Sequence, residues 1–231
     1  EKPLALFLSE VDAMAAAANE TGKVLAEAFM YRHHEQTLKV KEIVESGILG
    51  RLQLIKSAFT FTLTREGNFR FVKEMGGGSI WDVGCYPISF SRMIVGEEPV
   101  EVFGWQVEGP GGGDESFIGQ MRFANGVHAQ FDSGFKSPSR SFVEIVGTDA
   151  VLKIPNPFKP GVKNELVLLH GGSEKLLKVG GTELYLGEVE DLCDAILFGK
   201  PSRVSLQDSR GNIAAILAFI ESARRRTPIS I

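Results

Sequence analysis

Between Val100 and His170 five strand-like segments follow one another with no helical stretch between them: Val100 to Glu108, Ser116 to Phe123, Val127 to Phe135, Ser141 to Val146 and Glu165 to His170. Strands joined only by turns must run antiparallel, because a parallel return needs a crossover of a dozen residues or more. The joining segments hold Gly, Asn, Asp and Pro, and Asn125-Gly126 is a strong hairpin signal. A longer alternating segment, Gln53 to Thr64, precedes them and reads as a half-exposed strand. The expected core is therefore one large, mostly antiparallel open sheet with helices on one face. An uncovered second face would be an apolar patch, so dimerisation through the sheet is expected.

The remaining segments supply the helices. Ser9 is placed to cap a helix to about Asn19 with Leu8, Val11, Ala15 and Ala18 on one side, and Gly22 ends it. Val24 to Met30 reads as a short buried strand, and His34 to Ser46 as a helix closed by Gly47. The first thirty residues thus resemble the end of an α/β unit. Gly76-Gly77-Gly78 opens a helix expected to run to Val95, and two more, Glu188 to Phe198 and Asp208 to Arg225, close the chain.

Composition excludes several classes of function. The 29 acids and 25 bases give a net charge of −4, so no general basic surface for nucleic acid exists. Arg224-Arg225-Arg226 ends a helix, where cations offset the negative pole of the dipole. No apolar run approaches the roughly 18 residues of a membrane span. The two cysteines, Cys85 and Cys193, are far apart, with no secretory signal, and this fits a reducing cytoplasm. The four histidines form no ligand set, so no metal is expected.

Three segments carry more chemistry than a core requires. In Glu1-Lys2-Pro3 the proline holds Lys2 in extended geometry; the plain alternative is a solvated surface lysine. In Gly76 to Pro87, Asp82 and Tyr86 lie four apart, one helical turn, and make a plausible acid–base pair if a cation such as Lys2 lowers the phenol. The alternative is an Asp serving a helix start and a Tyr in the core. In Glu27 to His34, Arg32 can hold a carboxamide or phosphate, whereas His33 and His34 read as caps of the next helix.

Together and in this order the three segments resemble the Gfo/Idh/MocA oxidoreductases, most of all the branch with dimeric dihydrodiol dehydrogenase and D-xylose dehydrogenases. Glu1-Lys2-Pro3 matches the family's EKP motif, and Glu27 to His34 matches EAFMYRHHP, with Glu35 where proline is common. Gly76 to Tyr86 matches GGGxxxDxGCY, and Asn68-Phe69-Arg70 resembles a substrate-proximal NxR. The resemblance implies an N-terminal Rossmann domain followed by an α+β domain whose open sheet forms a dimer. It also implies hydride transfer between NAD or NADP and a sugar, polyol or dihydrodiol. No G-x-G-x-x-G occurs, and the chain opens inside a motif rather than on Met. Residues 1–32 are accordingly expected to be a Rossmann remnant, residues 33–231 the substrate-binding and dimerisation domain, and the chain alone a poor binder of cofactor.

By the same resemblance Lys2, Asp82 and Tyr86 are catalytic: Lys2 holds the reacting hydroxyl and lowers the phenol, Tyr86 exchanges the proton and Asp82 orients. Glu1, Lys2 and Arg32 would lie at the cofactor, and Asn68 and Arg70 at the substrate. A non-catalytic binding or assembly module of the same fold is the alternative. A nicotinamide-assisted glycosidase is a third, lesser one.

Overall fold

The computed structural model describes residues 1–65 and 67–231. In these residues nine strands form one sheet: β1 (Leu52–Thr62), β2 (Pro99–Glu108), β3 (Asp114–Phe123), β4 (His128–Gly134), β5 (Lys136–Gly147), β6 (Ala150–Ile154), β7 (Lys163–His170), β8 (Ser173–Gly180) and β9 (Ile229–Ser230). Their order is β8-β7-β6-β5-β1-β4-β3-β2-β9. Every adjacent pair is antiparallel except the central one, β1 with β4. That parallel pair was not foreseen: sequence shows each strand but not its neighbour. The chain leaves β1, crosses one face, and returns through β2 and β3 before laying β4 alongside. β6, β8 and β9 were also missed. β8 is an exposed edge strand that carries Glu174, Lys175 and Lys178, charges that protect an unpaired edge.

Among the described residues five α-helices accompany the sheet: α1 (Leu8–Thr21), α2 (Glu35–Glu45), α3 (Cys85–Val95), α4 (Leu186–Phe198) and α5 (Leu206–Arg225). α2, α3 and α5 pack on the sheet, whereas α1 leans on α5 and α4 on the turn Met30–His33. The core between sheet and helices is aromatic. Phe117, Phe131 and Phe219 form one cluster, and Tyr31, Phe59, Tyr86, Phe90 and Phe158 another. The opposite sheet face leaves Trp105 51% and Ile118 50% exposed, and these two are cross-strand partners.

Three local expectations change. The helix at Ser9 begins earlier: the Glu10 carboxylate accepts the amides of Leu6 and Phe7, so Phe7, not Ser9, is the capping position. Val24 to Met30 is not a strand. A strand exists only beside a partner, and among the described residues none lies next to this segment, which coils into a 3-10 turn, Met30–His33. The helix predicted from the three glycines is broken: 3-10 turns end at Met75, a π-helical turn spans Ile80–Gly84, and only then does α3 begin. His34 does cap α2, its Nδ1 accepting the Gln36 amide at 3.1 Å. Among the described residues no helix is long and apolar enough to cross a membrane.

Candidate active site

The π-helical turn gives the site its geometry. A widened turn of this kind is rare and places one extra residue per turn, which re-aims side chains and main-chain carbonyls. Here it carries Trp81 and Asp82 to the wall of a cleft of about 590 Å³, with Tyr86 one step behind. Lys2 arrives from the other end of the chain. Its ammonium donates to Asp82 Oδ1 at 3.2 Å and to the Asp82 carbonyl oxygen, and stands 4.7 Å from the centroid of the Tyr86 ring. Arg70 takes the second carboxylate oxygen, its Nε donating to Asp82 Oδ2 at 2.7 Å. Asp82 is thus shared between two cations, and Glu1 also lines the cleft.

The loop glycines permit this closure. A Cβ on Gly77 would stand 2.6 Å from the carbonyl oxygens of Phe69 and Val72, so no side chain fits where the Arg70 turn meets the helix start. Gly78 has φ +129° and lies against Asp114, where a Cβ would be 2.4 Å from Oδ1. Asp114 is buried; it accepts the Ser79 hydroxyl and the Ile80 amide, so it anchors the π-helical turn from below.

Burial pushes the Asp114 carboxyl up to about 6, against the lowering effect of those hydrogen bonds. The folded state therefore binds this proton more tightly than the unfolded chain, whose Asp titrates near 3.9. Its stabilising contribution is complete below about pH 4 and is lost as pH rises through about 6. Asp114→Asn keeps an acceptor for Ile80 and removes the charge. Relative to the variant, the wild-type protein is expected to lose about 3 kcal/mol of unfolding free energy between pH 4 and pH 7.5. Parallel pH profiles of the two proteins in urea melts would refute this.

Several assignments change. Lys2 was expected to lower the Tyr86 phenol, but it meets the ring face, not the oxygen. The hydroxyl contacts Met30 Sδ at 3.5 Å inside a cage of Phe29, Tyr31, Phe59 and Phe158. Burial pushes this phenol well above its ordinary range, with the neighbouring Cys85 and Asp82 adding to the shift. Arg32 does not line the cleft; it donates to Ser89 at 3.1 Å and to Asp208 at 2.7 Å. Asp208 also holds Arg92, so Arg32 belongs to a buried ion network between the Met30–His33 turn, α3 and α5. Asn68 is occupied locally as well, its Oδ1 accepting the Arg70 amide at 3.0 Å and capping the short turn that presents Arg70.

Other residues that support or line the cleft were given no role from the sequence. Glu27, 2% exposed, accepts the Leu4 amide at 2.9 Å and so fixes the backbone just beyond Lys2-Pro3, and burial raises its carboxyl. Phe59 and Phe61 line the cleft from alternate positions of β1, and this period was visible in the sequence. Lys159 and Tyr185 come from distant segments, and no local pattern marks them. Among the described residues no group of three or more His, Cys, Asp or Glu is arranged to hold a metal.

Residues 37–153 match the family description "GFO/IDH/MocA C-terminal domain". The chain is 30% identical over 235 residues to D-xylose 1-dehydrogenase (NADP(+)) 2 of Haloferax volcanii, covering 100% of this chain and 72% of that protein. It is 31% identical over 242 residues to trans-1,2-dihydrobenzene-1,2-diol dehydrogenase of Danio rerio, covering 99% and 70%. In fold it resembles the aldose-aldose oxidoreductase of Caulobacter crescentus complexed with glycerol, with TM-score 0.93, 22% identity, and 100% and 70% of the two chains covered.

Proposed function

Because this chain belongs to the GFO/IDH/MocA family of oxidoreductases, we propose that its cleft receives a sugar, polyol or dihydrodiol for hydride exchange with NAD or NADP. The observation that carries this reading is the meeting of Lys2, Arg70, Asp82 and Tyr86, up to 84 positions apart in the chain, in one cleft. In the proposed arrangement residues 1–32 close a nucleotide-binding unit and residues 33–231 supply the substrate side. The chain has no glycine-rich phosphate loop, so the cofactor's pyrophosphate is held elsewhere than on the described residues. Glu1 and Lys2 line the cleft and would hold the nicotinamide beside the substrate. When bound, the cofactor supplies the hydride acceptor or donor.

The chain's own residues handle the oxygen. The Lys2 ammonium donates a hydrogen bond to the reacting oxygen, stabilising the negative charge that grows there as the O–H proton leaves in oxidation or as hydride reaches the carbonyl carbon in reduction. Asp82 orients Lys2 through Oδ1 and Arg70 through Oδ2, leaving the guanidinium edge for a second substrate hydroxyl. Tyr86, held protonated by its surroundings, gives its proton to the carbonyl oxygen in the reducing direction, and the phenolate so formed takes a proton back from the hydroxyl in the oxidising one. Phe61, Phe69 and Trp81 offer the apolar face against which a ring lies. The protein that carries this chain with its nucleotide-binding unit is expected to reduce NAD or NADP when given a panel of aldoses, polyols and dihydrodiols. No cofactor reduction with any member would overturn the reading.

One observation, the lack of a G-x-G-x-x-G fingerprint in this sequence, favours a non-catalytic binding module of the same fold. Sugar binding with no turnover in that assay would select it. For assembly we place a homodimer on the open sheet face around Trp105, Ile118 and Phe142, within a reducing compartment. Trp105→Asp with Phe142→Asp is expected to halve the mass seen by light scattering at micromolar concentration. An unchanged mass would remove this face from the assembly.

A further inference from the structure

A second cleft of about 660 Å³ adjoins the first, and Lys159 lines both. The segment that presents Lys159 is built to be stiff. It holds Pro155, Pro157 and Pro160, and Phe158 between them is fully buried, its ring stacked 5.1 Å from that of Phe59. Both ends are latched. Gln36, 1% exposed, donates Nε2 to the Asn156 carbonyl at 2.9 Å. Asn164, 8% exposed, accepts the Gly161 amide at 2.9 Å and donates to the Gly161 carbonyl at 2.6 Å. The Lys159 ammonium is thereby held near the boundary of the two clefts, 5.9 Å from the centroid of the Phe59 ring.

The charge of the second cleft is unlike that of the chain. The whole carries a net charge of −4, yet this wall brings Lys159, Lys163 and Lys178 together from three separate elements, with Glu165 as its acid. Among the described residues none of these three exposed lysines makes an ion pair within 4.0 Å, and Glu165 stands directly across the β7–β8 ladder from Lys178. Three ammonium groups against one carboxylate leave this concave wall net positive, and an anion placed by Lys159 and Lys163 offsets that charge.

We propose that Lys159, backed by Lys163 and Lys178, receives an anionic group, phosphate or carboxylate, that the substrate carries at a distance from its reacting carbon. The inference rests on reading the first cleft as a sugar site and names the class of sugar it takes. A substrate lying across the boundary places its reacting hydroxyl at Lys2 and its anionic end at Lys159. The stiff proline segment sets the spacing between the two, so the cleft selects for the length of the substrate as well as its charge.

Titration calorimetry of the chain tests this with D-glucose, D-glucose 6-phosphate, D-glucuronate and inorganic phosphate as probes, at low and at moderate salt. At least one of the two acidic sugars is expected to bind about tenfold more tightly than D-glucose, with an advantage that shrinks as salt rises. Which of them does so identifies the anion as phosphate or carboxylate. Lys159→Gln is expected to erase most of the advantage and Lys159→Arg to keep it, with circular dichroism confirming that both variants are folded. The proposal is overturned if neither acidic sugar gains on D-glucose, if the gain survives Lys159→Gln, or if inorganic phosphate alone binds as tightly as the preferred acidic sugar. These titrations involve no turnover, so they separate the two readings. Tight acidic-sugar binding without cofactor reduction would sink the reductase and keep the site. Turnover of neutral sugars without the gain would do the reverse.

Discussion

Replacing Lys2 by Met is expected to lower kcat/KM of the proposed reaction by about 10²–10⁴-fold while leaving the fold intact. Methionine keeps an unbranched stem that can lie over the Tyr86 ring, so packing survives and only the ammonium is lost. That ammonium is the cleft group that joins Asp82 to the tyrosine: it bonds the carboxylate at 3.2 Å and lies 4.7 Å from the ring centroid. Asp82 remains held by Arg70 at 2.7 Å, so the cleft wall stays in place when Lys2 is gone. Tyr86→Phe is expected to cost less, because the hydroxyl rests against Met30 Sδ in an apolar cage and has no cation on its oxygen. Steady-state kinetics of both variants beside circular dichroism decide the matter. A Lys2→Met enzyme within threefold of wild type would remove the lysine from the chemistry.

The largest loss of stability is expected at Phe219, far from the cleft. Its ring is fully buried on α5 and meets Phe117 and Phe131 edge-on, at 5.9 and 5.2 Å between centroids. The sheet makes room for it with two glycines: a Cβ on Gly119 would stand 2.7 Å from the ring, and one on Gly104 would stand 3.3 Å away. A pocket formed by absent side chains on strands cannot collapse by rotamer change, so truncation leaves most of the void open. Phe219→Ala should therefore cost about 3–5 kcal/mol and lower Tm by roughly 10 °C. A shift of less than about 2 °C would show that α5 resettles onto the sheet.

The fold was legible where side-chain period and backbone agree. β1 to β5 and β7 follow alternation in the sequence, and α4 and α5 follow their apolar spacing, because each local pattern has one way to bury its apolar side. What failed was pairing. Val24 to Met30 has the composition of a buried strand, but composition cannot supply the neighbour a strand needs. In the site, Lys2, Asp82 and Tyr86 were found from their motifs and do line one cleft. Their electrostatics were not legible: whether Lys2 meets the oxygen or the face of a phenol depends on the π-helical turn, and i, i+4 counting cannot reveal that turn. Arg32 and Asn68 have protein partners that the sequence did not reveal, for a related reason. A guanidinium or an amide suits a ligand and a neighbouring protein group equally, and Asp208 and the Arg70 amide took them. Lys159 had no signal at all, since its importance comes from two clefts meeting in space.

The side-by-side, same-direction alignment of β1 and β4 bears on how the molecule assembles. Leu54 pairs with His128 and Thr60 with Gly134, so no hairpin can zip this contact; more than sixty intervening residues must already be arranged. That span includes the glycine loop, the π-helical turn and α3, and the last two lie against both β1 and β4. β1 also reaches far to β5, Leu52 pairing with Gly147, so seating β1 in the middle of the sheet is a non-local, entropically expensive event, and the sequential ladders β2–β3–β4 and β5–β6–β7–β8 should form sooner. The wall bearing Asp82 and Tyr86 is part of the crossover that this step locks, so a molecule with its centre unjoined has no assembled cleft. During refolding, ligand binding should consequently emerge with the slowest phase of sheet formation and never ahead of it.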